Sequence, residues 1–259
     1  MNQIRAMVAS LLHQWQITFT DITSLSMYIM NLPMVIIFAW IAHRNPDPSV
    51  LTYLLIGAPL MAIWNGSVFY IGNSLRRELE GRTLDFVMTS RTPVLVVLFG
   101  DALAQILFGI PAAAISFGTM LLVTRTLPGV DNIGLLIPSL FFVILGITVN
   151  SLLFAPLMVL VGGRAGFFNP IIPFGTILSG FVFPVDRLPV ALEVIARLLP
   201  TSWAMNSIRL SVQGAESFWL VASSWLMCIL MSVAVFGVTY LLFKVVEKRI
   251  RITGVLGIY

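Results

Sequence analysis

Apolar runs about as long as a bilayer is thick return along this chain, and they decide what it can become. One reads GLLIPSLFFVILGITVNSLLFAPLMVL, Gly134 to Leu160, without a single charge. About 20 apolar residues suffice for a helix to cross the roughly 30 Å hydrocarbon layer. Backbone polar groups find no water there, so a spanning chain must be helical or a closed barrel. The strand-length alternation of a membrane barrel is absent, which leaves helices. Composition agrees, with 58% hydrophobic and 10% charged residues, against about 25% charged in an ordinary soluble domain. A globular cytosolic enzyme is excluded. The sequence predicts an all-α integral membrane protein, one membrane domain over residues 1–259.

The first 21 residues are too polar to span. Ile4, Met7, Val8, Leu11, Leu12 and Trp15 recur at helical spacing, with Asn2, Arg5, Ser10, His13 and Gln16 largely opposite. That pattern predicts an N-terminal amphipathic helix lying in the membrane interface. His13, Gln14 and Gln16 interrupt any apolar core and no A-x-A site follows, which argues against a signal peptide. Six transmembrane helices are then expected. The first covers about Ile22 to Ala42, the second Val50 to Leu75, and the third Pro93 to Thr124, where Pro111 offers a kink. The fourth covers Gly134 to Leu160. The fifth is the proline- and glycine-broken FFNPIIPFGTILSGFVF, entered through the glycine-rich turn VGGRAG. The last covers Ser217 to Phe243, before a basic tail over 244–259.

Six spans put both termini on one side, together with the stretch after the second span and the VGGRAG turn. Arg5, Arg76, Arg77, Arg82, Arg91, Arg164, Lys244, Lys248, Arg249 and Arg251 lie on that side. Arg44, Arg125, Arg187, Arg197 and Arg209 lie on the other. Positive charge favours the cytoplasm, so both termini are expected there, in a cell membrane, inner or plasma. The net charge of +4 follows from orientation, not from nucleic-acid binding. The single Cys228 gives neither a disulfide framework nor metal-ligand spacing.

Charge is most concentrated in SLRRELEGRTLDFVMTSRTP, Ser74 to Pro93. RRELE reads as the solvated end of the second helix, stopped at Gly81. Thr83 can cap a new short helix, and Asp85 in its first turn complements the helix dipole. Leu84, Val87 and Met88 then make a small apolar ridge flanked by charge. Two readings are open from the residues alone: a ridge that docks into a groove on a cytoplasmic partner, or a loop whose arginines only fix topology.

The same stretch resembles the cytoplasmic coupling segment of ATP-binding cassette type-2 permeases, the membrane subunits of exporters. That family carries an E-x-G-T-L-like core with a proline beyond it. Here the core reads Glu80, Gly81, Arg82, Thr83, Leu84, Asp85, with Pro93 following and Arg82 as an extra residue. A second stretch, LSGFVFPVDRLPVALEVIARLLPTSWAMNSIR, Leu178 to Arg209, is similar to the family's S-G, F-P, L-P and L-P-T series ending in Arg. The resemblance implies a coupling helix within residues 76–92 that binds an ATPase through Glu80 to Asp85, Val87 and Met88. It further implies two ATPase subunits, a second permease in a homodimer or heterodimer, and ATP with Mg held by the ATPase. The chain has no G-x-x-x-x-G-K-[ST] phosphate loop of its own, so it is expected to be a transport subunit without an ATPase site.

Residues 184–216 are expected outside. Leu188, Leu192, Ile195, Leu198 and Leu199 form an apolar face, Glu193 and Arg197 an i, i+4 pair, and Pro200 a break. The resemblance implies short re-entrant helices here that cap the path from outside, a gate at Gly180, Phe183, Pro184, Leu188, Pro189 and Pro200. The alternative is an amphipathic loop lying on the bilayer. Within the spans, Asn65, Phe69, Asp101, Gln105 and Asn150 are candidate path-lining residues. An ionisable residue such as Asp101 inside a span marks either a water-accessible cavity or a helix end near the interface. The asparagines Asn65, Asn73, Asn150 and Asn169 equally serve as interhelical links. Trp64, Tyr70, Phe141, Phe142, Phe154, Phe167 and Phe168 either meet an amphipathic cargo or pack and face lipid. No catalytic set and no metal cluster is expected, since His13 and His43 stand far apart. The expected cargo is a hydrophobic or amphipathic compound such as a drug, antibiotic or lipid. Alternatives are a polysaccharide or lipo-oligosaccharide, or proton-coupled transport through Asp101.

Overall fold

Most of the described backbone satisfies its own polar groups by coiling into helices, as a bilayer demands. The computed structural model describes residues 22–44, 48–80, 94–127, 129–161, 165–214 and 217–253, together with 8 and 12. Eight helices follow in order among these residues: α1 Ile22–Arg44, α2 Pro48–Glu80, α3 Val94–Thr124, α4 Ile133–Leu160, α5 Ala165–Leu178, α6 Val190–Arg197, α7 Pro200–Val212 and α8 Phe218–Thr253. A 3₁₀ turn, Val185–Arg187, precedes α6. No strand occurs among the described residues.

Among the described residues, four helices carry stretches long and apolar enough to cross a membrane: Val50–Gly72, Val96–Thr124, Ile133–Leu160 and Phe218–Arg249. Their burial ranks them. In α2 and α4, 72% and 67% of the apolar window is buried within the chain, against 33% and 22% in α3 and α8. The first two form the centre, and the last two leave most of their apolar surface outward. α2 packs against α3 and α4, α7 lies between α4 and α8, and α1 leans on α3 and α2. Leu55, Met61, Trp64, Ile147, Phe181, Met205 and Ile208 fill the main core.

Two sets of contacts fix the sense of each helix. Ile71 near the end of α2, Leu98 near the start of α3, Val159 at the end of α4, and Phe243 and Val246 of α8 form one cluster. At the opposite end, the indole Nε1 of Trp225 in α8 donates to Ser139 Oγ in α4 at 3.0 Å. The Asn132 amide donates to the Ser211 carbonyl there at 3.2 Å. So α2, α4 and α8 run in one sense and α3 runs in the other. The chain must therefore return from the Val246 end to the opposite end between Leu160 and Phe218.

That return departs from the expected fifth span over 167–183. α5 has 14 residues and is about 21 Å long at 1.5 Å per residue, too short for the hydrocarbon layer. The irregular stretch from Ser179 to Pro184 and the 3₁₀ turn complete the passage. The physical reason is the glycine and proline content: Gly180 sits at φ +77°, a left-handed geometry no helix contains. The last helix differs too, continuing from the predicted end at Phe243 through Thr253. Elsewhere the expectation holds closely. α2 ends at Glu80, directly before Gly81, and α3 runs through Pro111 to Thr124.

Several sequence expectations fall outside the described residues. These are the interfacial helix over 1–21, apart from Val8 and Leu12, the glycine turn at 162–164 and the end of the tail, 254–259. The coupling residues Gly81, Arg82, Thr83, Leu84, Asp85, Val87 and Met88, and Pro93, are also outside them. So are the side chains of Asn73, Glu80, Phe167, Phe168 and Asn169.

Candidate functional site

Between α5 and α6 the chain abandons regular helix at the depth of the apolar core, and polar contacts from α2, α6 and α7 converge on it. A backbone in that position must have each polar group covered by protein or water. Tyr53 of α2 supplies one cover, donating its phenolic hydroxyl to the Gly180 carbonyl. Gly57, one turn further along α2, supplies room: a Cβ there would overlap the Phe181 carbonyl oxygen. The irregular segment thus lies directly on α2 backbone.

Below it runs a chain of side-chain bonds. Asn150 Nδ2 of α4 donates to Thr201 Oγ1 at 3.0 Å, and Thr201 Oγ1 donates to Ser179 Oγ at 2.9 Å. Gly146, one turn before Asn150, admits the first turn of α7: its Cβ would stand 3.1 Å from the Thr201 nitrogen. Pro200 occupies the first turn of α7, where its missing N–H costs nothing. α7 then climbs antiparallel to α4, and Ser211 near its end reaches Ser139 at 3.3 Å. Asn150 lies about 26 Å along α4 from Ile133, so the start of α7 is set deep beside a spanning helix. A second polar chain joins three helices. Asn65 Nδ2 of α2 donates to Asn31 Oδ1 of α1 at 3.0 Å, and Thr176 Oγ1 of α5 donates to Asn65 Oδ1 at 3.0 Å. The two chains meet α5 and its end only three residues apart, at Thr176 and Ser179.

Above this, at the opposite end from Val246, charges collect. Asp186 of the 3₁₀ turn pairs with Arg197 of α6 at 3.2 Å and with Arg209 of α7 at 2.9 Å. Arg197 also holds Glu193 at 2.6 Å, the predicted i, i+4 pair. Trp203 Nε1 donates to the Arg197 carbonyl at 2.8 Å, and the Arg197 guanidinium stands 5.3 Å from its ring centre. Tyr53, Asp186, Trp203, Asn206 and Arg209 line a small cleft here.

The predicted site residues are placed as follows. Gly180 and Pro200 are buried, Phe183, Pro184 and Leu188 half-buried, and Pro189 exposed. Pro189 precedes α6, and its carbonyl accepts from the Leu192 and Glu193 amides. All six lie on the one segment between α5 and the first turn of α7. Asn65 and Asn150 link helices, each in a different chain of bonds. Phe69 is half-buried and meets Tyr70 edge-on at 5.9 Å. Asp101 and Gln105 are buried one turn apart in α3. Of the residues assigned to an apolar face, Ile195 and Leu198 are exposed and Leu188, Leu192 and Leu199 half-buried. Sequence reasoning missed Tyr53, Gly57, Ser179 and Asp186, whose partners lie many residues away. Nothing local distinguishes Tyr53 from any aromatic near the end of a span.

An all-helical chain with apolar helices exposed on its perimeter, and irregular backbone sealed at core depth, is a polytopic membrane protein. Its sequence matches the profile of the ABC-2 type transporter family over residues 3–212, and the chain belongs to that family. It is thus the membrane permease component of an ABC transporter, a class that associates with an ABC ATPase. No curated protein matches it.

Proposed function

We propose that this chain is the permease subunit of an ATP-driven exporter, crossing the cell membrane six times with both termini in the cytoplasm. The observation that carries the reading is the depth of α7: Thr201 bonds to Asn150 far along α4. A helix pair that enters beside a spanning helix and turns back fits a re-entrant cap and not a loop lying on the surface. In this reading residues 184–216, with Gly180, Phe183, Pro184, Leu188, Pro189 and Pro200, close the path from outside. The bonds of Tyr53, Ser179 and Thr201 hold that closed position. Residues 76–92 bind the ATPase, with Leu84, Val87 and Met88 as the apolar ridge and Glu80, Gly81, Arg82, Thr83 and Asp85 framing it. ATP and Mg belong to the two ATPase subunits, which drive a pair of permeases, alike or different. A hydrophobic or amphipathic compound is the cargo. The largely apolar interior supports that class, since a polar solute would leave its hydrogen bonds unmade there.

Co-purification tests the reading. The tagged chain, extracted in mild detergent, is expected to bring an ABC ATPase with it, and Leu84→Asp to abolish the association while the permease stays folded. Transport by the unaccompanied chain on a proton gradient, lost in Asp101→Asn, would overturn it.

A further inference from the structure

The outward stripe of α8 changes character along its length. Leu226, Leu230 and Val233 are exposed apolar residues, the surface a spanning helix offers to acyl chains. Further on, the same side of the helix presents Tyr240, then Lys244 and Lys248 at successive intervals of four, all exposed. The opposite stripe, including Cys228, Thr239, Phe243 and Val246, is buried against the rest of the chain. So the lysines are not turned toward α4. From Phe218, Tyr240 lies about 33 Å along the axis, and Lys244 and Lys248 about 39 and 45 Å. A bilayer is about 30 Å thick in its hydrocarbon and about 40–45 Å with headgroups. With Phe218 at the outer edge of one headgroup layer, the Tyr240 ring falls near the far hydrocarbon boundary, Lys244 within the far headgroup layer and Lys248 at its outer edge. Lys244 Nζ stands 4.6 Å from the Tyr240 ring centre, which holds the cation beside the interface. Lys248, Arg249 and Arg251 follow, and Glu247 is the one acidic residue of α8.

We propose that the Tyr240–Lys244–Lys248 stripe is a binding site for anionic phospholipid, its acyl chains along Leu230 and Val233 and its headgroup between the two lysines. Basic residues just beyond a span attract acidic headgroups, each contributing about 1 kcal/mol near the surface, roughly five-fold in affinity. The continuity of acyl-facing and cation-bearing surface on a single stripe favours lipid over a free anion. The inference rests on α8 crossing the bilayer and is independent of ATPase coupling.

Native mass spectrometry of the detergent-purified chain, with phosphatidylglycerol and phosphatidylcholine in competition, tests it. Retention of phosphatidylglycerol is expected to exceed that of phosphatidylcholine several-fold and to collapse in 0.5 M salt. Lys244→Gln/Lys248→Gln is expected to remove most of the preference, and Lys244→Arg/Lys248→Arg to keep it. Arg187→Gln, at the far end of the molecule, is expected to leave it unchanged. Equal retention of the two lipids by the unmodified chain overturns the proposal whether or not the variants fold. So does a preference that survives the double Gln variant, or one that inorganic phosphate displaces.

Discussion

Thr201 receives a hydrogen bond from Asn150 and donates one to Ser179, and it is fully buried. Thr201→Val keeps the shape and deletes both. The Asn150 amide would then lose its donor contact while about 1% exposed. The expected cost is about 1–3 kcal/mol. Thr119→Val is the control, because its exposed hydroxyl bonds only to its own helix at the Ile115 carbonyl, and it should change stability little. Gly57→Ala should cost about as much as Thr201→Val or more, since the new methyl overlaps backbone that cannot swing aside. Cys228 is the sole cysteine and is fully buried. Thermal unfolding followed by a thiol-reactive fluorophore therefore reads all three variants. At this scale the sequence exposed the asparagines but not their partners. Asn150 and Thr201 are 51 positions apart, and only the packing of α7 on α4 joins them.

The elements around the irregular segment differ in what holds them. The Asp186 pairs with Arg197 and Arg209 are partly exposed, at 47% for the carboxylate side chain, so water competes with them. Asp186→Asn should lower stability by less than about 1 kcal/mol. Tyr53→Phe removes one hydroxyl but strands the buried Gly180 carbonyl, and should cost more, about 1–3 kcal/mol. Melting curves of the two variants in the same detergent decide the order. If Asp186→Asn is the worse of the two, the seal lies in the charges and not in the buried bond. The helical spacing of Leu188, Leu192 and Ile195 and the Glu193–Arg197 pair made α6 legible in advance, whereas Pro200, read as a break, proves to start α7, where its missing N–H is harmless. The short α5 was not legible. Its run of apolar residues reads as a span until Gly180 is seen in the left-handed region, pinned by Tyr53.

For the whole molecule, the parallel sense of α2, α4 and α8 places Leu127 and Lys248 at opposite ends. Cysteine introduced at Leu127 on a background lacking Cys228 should react with a membrane-impermeant maleimide on intact cells. Lys248→Cys should react only after the membrane is opened. Reversed labelling would invert the orientation, and labelling of both on intact cells would break the six-span reading. Apolar runs, the division of Lys and Arg, and the ends of α2 through α4 were determined by the sequence itself. The reason is that bilayer thickness and helix geometry act on each segment separately. The sealing of residues 179–184, the depth of α7 and the composite return between α4 and α8 were decided by tertiary structure. Those depend on which backbone lies within a bond's length of which, and that distance exists only once the helices have packed.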